Sequence, residues 1–173
     1  MKIDKIIINE TEITEKVIEI ASKLDKHFKG EQITFICILK GSYMFFSDLL
    51  KHIKSDVRID FMQVTSYGSS TVSSGKLKIK KDLDIDIDGK NVVIVEDIID
   101  TGITLFNLKK YILNKNPKEL KICAFLDKFE RRTADINADY IGYKIEDRFV
   151  VGYGLDVNEE YRNLPYIAVI DEE

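Results

Sequence analysis

The sequence predicts an α/β protein in which a mostly parallel, twisted β-sheet is flanked by helices. Short apolar runs typical of buried strands alternate along the chain with longer stretches whose apolar residues follow helical spacing. The 173 residues, 45% of them hydrophobic, are enough for one domain with a core and too few for two. We therefore expect residues 1–173 to form a single domain that binds ligands at the carboxyl ends of its strands.

The first predicted element is an amphipathic helix. Apolar residues recur at helical spacing between residues 13 and 28. Thr11 or Thr14 is expected to cap the start of this helix, and Gly30 is suited to its end.

Two strands and a helix follow. The apolar run at 33–39 predicts a buried strand, and a Lys-Gly-Ser turn connects it with a helix over 43–53. A second strand over 57–64 leads into the stretch 66–75, which is rich in small and polar residues without periodicity. This composition favours a mobile loop or the tip of a hairpin.

The second half of the chain continues the alternation. The run 92–95 has the pattern of a buried strand, and a helix is expected from near Thr104 to just before Pro117. Further strands are predicted over 121–126, 149–153 and 166–170.

Charge and hydropathy exclude several classes of partner. Charged residues make up 32% of the chain, both signs are interspersed, and the net charge is −4, which argues against a nucleic-acid or anionic-membrane surface. No run of about 18 apolar residues occurs, and the start of the chain lacks the pattern of a cleavable signal peptide. We expect a soluble, cytoplasmic protein in which Cys37 and Cys123 are buried thiols.

The stretch 92–104 carries the strongest chemical signal. Four apolar residues end in Glu96 and Asp97, Asp100 follows three positions later, and a Thr-Gly-Ile-Thr turn opens a helix. Backbone N–H groups at such a turn suit a phosphate, and the threonine hydroxyls can add hydrogen bonds. Carboxylates suit ribose hydroxyls and hydrated Mg²⁺. The stretch therefore indicates a site for magnesium and a phosphorylated sugar.

A purely structural interpretation of this stretch is that Asp100 or Thr101 caps a helix and that all three acids are loop residues. It leaves unexplained why Glu96 and Asp97 end a buried strand, where charge is costly unless it binds something. Two other phosphate motifs, GxxxxGK[ST] and GxGxxG, do not occur in the sequence.

The string Val-Glu-Asp-Ile-Ile-Asp-Thr-Gly-x-Thr resembles the signature by which type I phosphoribosyltransferases bind phosphoribosyl pyrophosphate (PRPP). The similarity extends from Ile33 to Ile170 and is strongest to the hypoxanthine-guanine branch. It implies the fold of that family, with a small hood built from terminal segments and a flexible lid loop. It also implies a Mg²⁺-dependent transfer of a phosphoribosyl group from PRPP to a 6-oxopurine, by a homo-oligomer of two or four chains.

The resemblance also implies roles around the ribose phosphate. Glu96 and Asp97 would contact the ribose and the metal ion, and Asp100 is the candidate general base for the purine N7 proton. Ile103 stands where some members of the family carry lysine, so backbone amides must hold more of the phosphate charge. The residues assigned to the 5-phosphate are Asp100, Thr101, Gly102, Ile103 and Thr104.

Pyrophosphate and the lid are assigned in the same way. Lys40, Gly41 and Arg162 would bind pyrophosphate, and the match implies a non-proline cis peptide bond before Lys40. Ser66 and Tyr67 would begin a lid that excludes water during the reaction. Without the resemblance, an ordinary turn would be the favoured interpretation of Lys40 and Gly41. For the stretch that begins at Ser66, composition alone is equally compatible with a simple flexible loop.

The purine would be bound by two further blocks. Lys128 matches a lysine that donates to the 6-oxygen, Phe149 would stack on the base, and backbone groups of Val150 and Asp156 would contact its edge. Asp156 would also help to hold a magnesium ion. Alternatively, Lys128 belongs to a solvated turn and Phe149 to the core of an edge strand.

Two other functions remain open. A regulator that senses PRPP would need a nucleic-acid domain or a basic face, and this acidic chain has no obvious basic stripe. A phosphoribosyltransferase for another base is the second alternative. The Lys128 and Phe149 blocks argue against adenine and pyrimidines, but they do not rank hypoxanthine, guanine and xanthine.

Overall fold

The computed structural model describes residues 2–66 and 77–171. Tyr67 and most of the predicted loop therefore lie outside the described residues. The elements in chain order are β1 (Lys2–Ile8), α1 (Glu10–Phe28), β2 (Ile33–Leu39), α2 (Tyr43–His52), β3 (Val57–Ser66), β4 (Leu77–Lys81), β5 (Asn91–Ile99), α3 (Ile103–Leu113), β6 (Glu119–Asp127), β7 (Tyr140–Lys144), β8 (Val150–Val151) and β9 (Ile167–Asp171).

Six strands form the main sheet in the order β4-β3-β2-β5-β6-β7. All neighbouring pairs are parallel except β3 and β4, which are antiparallel at one edge. The sheet separates two apolar clusters, since α1 and α2 pack on one face and α3 packs on the other. Side chains of β2 alternate between these clusters, as a strand buried on both faces requires. The predicted fold class is confirmed.

A second, three-stranded sheet has the order β1-β9-β8, and both of its pairings are antiparallel. It brings the two ends of the described chain together, which confirms the expected hood of terminal segments. Strands β1, β4 and β7 were not predicted from the sequence. The strand predicted over 149–153 contains only the two residues of β8.

The caps of α1 differ from the prediction. Asn9, not Thr11 or Thr14, is the N-cap, and it forms a capping box with Glu12, in which each side chain accepts a hydrogen bond from the other residue's backbone N–H. Lys29 ends the helix in the left-handed conformation (φ 53°), ahead of Gly30 (φ 81°).

The structure tests two simpler expectations. Cys37 and Cys123 are both fully buried and form no disulfide, as predicted. In the parts of the chain that are described, none of the helices combines the length and the apolar character needed to cross a membrane.

Candidate active site

The turn between β5 and α3 presents a helix N-terminus at the carboxyl end of the sheet. Gly102 is the N-cap, with a φ of 81°. A Cβ built there would fall 2.5 Å from Ile136 and 2.9 Å from Arg132, so both the conformation and the space require glycine. Within the described residues, the only side chain that accepts a hydrogen bond from the first N–H groups is Thr101, whose hydroxyl lies 3.5 Å from the Ile103 nitrogen. The turn can therefore offer backbone N–H groups to an anion.

The segment after β6 holds this turn in place. The backbone N–H of Lys128 donates to the Ile99 carbonyl (2.9 Å), and those of Thr133 and Ala134 donate to the Thr101 carbonyl (3.0 and 3.1 Å). These bonds lie on both sides of Asp100. Asp100 caps no helix among the described residues, so the structure does not support the capping interpretation for it.

Glu96 and Asp97 are partly buried carboxylates near the end of the central strand β5. Burial raises the pKa of Asp97 to about 6, although a hydrogen bond from the Ile98 N–H to its Oδ1 (2.7 Å) opposes this rise. Burial, reinforced by the charge of Asp97, raises the pKa of Glu96 well above its ordinary value. Both carboxylates are therefore costly to ionise until a cation or hydroxyl donors bind them.

The loop after β2 packs directly against Asp97. The peptide bond between Leu39 and Lys40 is cis, as predicted. A Cβ built on Gly41 would fall 1.5 Å from the Oδ2 of Asp97, and one on Gly154 would fall 2.0 Å from the carbonyl oxygen of Gly41. The segments around Gly41, Asp97 and Gly154 are distant in sequence but pack so closely that neither glycine has space for a side chain.

Arg162 lies beside this loop and is already engaged. Its Nη1 donates to the Gly154 carbonyl (2.8 Å), and its Nη2 is 2.8 Å from Asp156 Oδ1 and 3.2 Å from Glu159 Oε2. The same Glu159 oxygen accepts a hydrogen bond from Lys40 Nζ (3.0 Å). The two cations assigned to pyrophosphate therefore share one carboxylate, which the sequence analysis did not identify.

These groups line a cleft of about 460 Å³ at the carboxyl ends of β2, β3 and β5. It brings together most of the residues predicted to bind PRPP and metal. Those lining it are Lys40, Gly41, Glu96, Asp97, Thr104, Asp156 and Arg162. Ser66 lies at the end of β3, paired with Leu77, so its backbone belongs to a strand and not to a loop.

A magnesium ion is the metal that the resemblance implies, and the donors present fit it. Glu96, Asp97 and Asp156 supply only oxygen ligands, which Mg²⁺ prefers. Among the described residues neither Glu96 nor Asp97 forms an ion pair, although the charge of Arg162 lowers the pKa of Asp97 in opposition to burial. Within the described residues, no three acidic, histidine or cysteine side chains already form a metal site. Water and substrate oxygens would thus complete the coordination.

A second cavity, of about 440 Å³, contains the predicted base-binding side chains. Lys128 is only 8% exposed there, with its Nζ 3.6 Å from Asp147 Oδ1, while Phe149 is 42% exposed. These values argue against a solvated Lys128 and a core Phe149. The cavity is lined by Lys128, Arg131, Asp147, Arg148, Phe149, Val169 and Ile170.

Two predicted purine contacts lie elsewhere. Val150 is buried in β8, where it pairs with Val169, and Asp156 lines the first cleft. Neither lines the second cavity among the described residues. Their backbone contacts with a base stay a prediction.

Arg131 connects the second cavity with the turn that begins α3, and it was not predicted from the sequence. It lines the second cavity, and its Nε lies 3.0 Å from Asp100 Oδ1, in the turn that begins α3. Asp147 and Glu159 were missed as well. All three are charged residues in loops, where solvation is the usual outcome, so their spacing in sequence gave no signal.

The fold and the two cavities are those expected of phosphoribosyltransferases, a class of protein that binds a phosphorylated sugar beside a base. The family model described as "Phosphoribosyl transferase domain" matches residues 7–158. The hypoxanthine-guanine phosphoribosyltransferase of Bacillus subtilis is 48% identical over 168 residues, which is 97% of this chain and 93% of the relative. That of Aquifex aeolicus is 45% identical over 169 residues, covering 97% and 95%.

Solved structures agree with the sequence comparisons. A hypoxanthine-guanine phosphoribosyltransferase from Bacillus anthracis superposes with a TM-score of 0.95 at 50% identity, over 98% of this chain and 100% of that one. A hypoxanthine phosphoribosyltransferase from Staphylococcus aureus gives a TM-score of 0.95 at 44% identity, over 98% and 92%. The chain belongs to the phosphoribosyltransferase family.

Proposed function

We propose that the protein is a hypoxanthine-guanine phosphoribosyltransferase of purine salvage. It would transfer the 5-phosphoribosyl group from PRPP to hypoxanthine or guanine, yielding IMP or GMP and pyrophosphate. One observation carries the proposal: Glu96, Asp97 and Thr104 line the first cleft, and Asp100, in the same segment, contacts Arg131 of the second cavity. A donor and an acceptor bound in these cavities would lie next to each other, as group transfer requires.

PRPP would bind along the first cleft. The turn from Asp100 to Thr104 would receive the 5-phosphate on its backbone N–H groups, and Glu96 and Asp97 would accept hydrogen bonds from the ribose hydroxyls. Lys40, the Gly41 backbone and Arg162 would bind pyrophosphate, with Arg162 offering the delocalised donors that suit it.

Magnesium belongs to the same cleft, where Glu96, Asp97 and Asp156 would hold it. When bound, the ion would neutralise the negative charge that develops on departing pyrophosphate. Lys40 and Arg162 would stabilise the same charge from the protein side.

The base would occupy the second cavity. Phe149 would stack on the ring, and Lys128 would donate a hydrogen bond to the 6-oxygen. Adenine carries an amino group at that position, which would present hydrogens to the Lys128 ammonium and be rejected. Backbone groups of Val150 and Asp156 complete the proposed contacts.

Asp100 would act as the general base. One ring nitrogen of the purine attacks C1 of the ribose, the C1–O bond to pyrophosphate breaks, and Asp100 takes the proton from N7. Asp100→Asn should therefore lower turnover while PRPP binding persists. A variant with full turnover would remove Asp100 from this role.

Four expectations from the sequence belong to the proposal. They are a single domain over residues 1–173, a homo-oligomer of two or four chains, a cytoplasmic location, and a lid that starts at Ser66 and Tyr67.

The proposal is tested by product stoichiometry. Hypoxanthine, PRPP and Mg²⁺ are incubated with the protein, and nucleotide and pyrophosphate are quantified separately. The proposal predicts equal amounts of IMP and pyrophosphate. Pyrophosphate without nucleotide would indicate hydrolysis of PRPP and contradict a transfer reaction.

A further inference from the structure

Arg131 connects the phosphate turn with the base cavity, although neither the sequence motif nor the proposed mechanism gives it a role. We propose that Arg131 is a positioning residue, which holds the Asp100 carboxylate in the orientation that receives the purine proton. This inference rests on the proposed function, because it presumes that Asp100 is the general base.

The backbone around Arg131 is fixed relative to Asp100. Arg131 ends a short 3₁₀ turn (Phe129–Arg131), and its N–H donates to the Lys128 carbonyl (3.1 Å). Directly before this turn, the Lys128 N–H bonds to the residue preceding Asp100, and shortly after it, two N–H groups bond to the residue following Asp100. These hydrogen bonds on both sides of Asp100 therefore fix the main chain of Arg131 relative to Asp100.

The guanidinium lies between two carboxylates. Its Nε is 3.0 Å from Asp100 Oδ1, and its Nη1 is 3.4 Å from Asp147 Oδ1. The Nε contact lacks the alignment of a hydrogen bond, and Asp100 Oδ1 is buried with no hydrogen-bond partner among the described residues. This buried oxygen therefore lies against the Arg131 guanidinium, while the rest of the Asp100 side chain, which is 45% exposed, stays open to a ligand.

The arrangement of charged side chains around Arg131 supports its role as a positioning residue. Lys128 Nζ lies 3.6 Å from the same Asp147 oxygen, so Lys128 and Arg131 alternate with Asp147 and Asp100 along the cavity. The guanidinium is a rigid planar fork. Its contact with Asp147 therefore restricts the positions that its Nε can take relative to Asp100.

The pair contributes little to stability. The side chains of Arg131 and Asp100 are 46% and 45% exposed, and ion pairs so exposed add little to the free energy of unfolding. Misplacing a reacting group by about 1 Å can, in contrast, cost up to roughly 100-fold in rate. Removal of Arg131 should therefore reduce kcat and leave both the fold and PRPP binding almost unchanged.

The experiment is a double-mutant cycle with Arg131→Met and Asp100→Asn. Steady-state kinetics give kcat and the KM for PRPP, and thermal unfolding monitors the fold. The control is Arg58→Met, which removes an exposed arginine at the other end of the sheet. We expect Arg131→Met to lower kcat about tenfold or more, as a misplaced catalytic group does, with the KM for PRPP changed less than about twofold. In the Asp100→Asn background, Arg131→Met should have no further effect.

Three results would overturn the inference. Unchanged kcat in Arg131→Met, despite a loss in Asp100→Asn, would refute the role of Arg131 alone. Losses that multiply in the double variant would show that Arg131 acts independently of Asp100. Full turnover in Asp100→Asn would refute the general-base proposal itself, and the positioning role with it.

Discussion

The buried carboxyl of Asp97 lowers the stability of the folded protein in a way that depends on pH. Burial raises its pKa in the folded protein to about 6, from an ordinary value of 3.8. Between these two values the folded protein binds more protons than the unfolded chain, so the free energy of unfolding falls as pH rises through this window. Replacing the carboxyl with an amide, in Asp97→Asn, removes the effect.

The magnitude follows from the shift in pKa. A difference of about two units, at 1.36 kcal/mol per unit, gives an upper limit of about 3 kcal/mol. Because solvent reaches part of the side chain, we expect a gain of about 1 to 3 kcal/mol for Asp97→Asn at pH 7.5, or roughly 3–9 °C in Tm. At a pH below 3.8 Asp97 is protonated in both the folded and the unfolded chain and is therefore neutral, like the asparagine. The gain in stability from Asp97→Asn should then vanish.

Urea or thermal unfolding of both proteins would measure this, in buffer without metal or PRPP, across the range from pH 3.5 to 7.5. Asp56→Asn is the matched control, since this exposed carboxyl precedes β3 at the other end of the sheet. A variant no more stable than the wild type at pH 7.5, or a gain of equal size at pH 3.5, would refute the argument that burial strains this carboxylate.

Three further substitutions test the site and its support. In Gly41→Ala the added Cβ would overlap Asp97, so kcat/KM for PRPP should fall at least about tenfold. An unchanged kcat/KM would show that the loop has space for a side chain at position 41. Lys128→Met should raise the KM for hypoxanthine about tenfold or more, through loss of a charged hydrogen bond, and spare the KM for PRPP; the reverse pattern would place Lys128 elsewhere. Tyr153→Phe removes a hydrogen bond to Asp48 (2.9 Å) and should lower the free energy of unfolding by about 1 kcal/mol at unchanged turnover, whereas unchanged stability would show that the bond is worth nothing.

The strand β2, which is buried on both faces, and the helix α2 that follows it were predictable from the sequence. The apolar run of β2 has the bounds predicted for it, and α2 differs from its prediction by one residue. Strand β5 extends four residues beyond its predicted end, because pairing with β6 continues through the polar Glu96 and Asp97. Apolar periodicity cannot detect a strand that continues through the functional site itself.

Elements that depend on distant pairing were missed. Strand β1 is held by its antiparallel pairing with β9, at the opposite end of the chain, and β7 is an edge strand of mixed composition. The cap at Asn9 was missed because two threonines nearby can also cap a helix, although asparagine is the stronger N-cap residue.

The motif around Glu96 to Thr104 predicts a sugar-phosphate site because its chemistry is contiguous in sequence. Arg131 and Glu159, in contrast, reach the site only through tertiary packing. The cis peptide bond before Lys40 and the hood were predictable only from the resemblance to a family.

The proposed activity is tested most directly by offering different bases to the protein. Initial rates of nucleotide formation from PRPP are measured with hypoxanthine, guanine, xanthine and adenine separately, each with Mg²⁺ and with a chelator. The account predicts turnover of hypoxanthine or guanine that requires Mg²⁺, with adenine inert. Absence of turnover with every base, while PRPP still binds, would contradict it and favour a PRPP-sensing regulator.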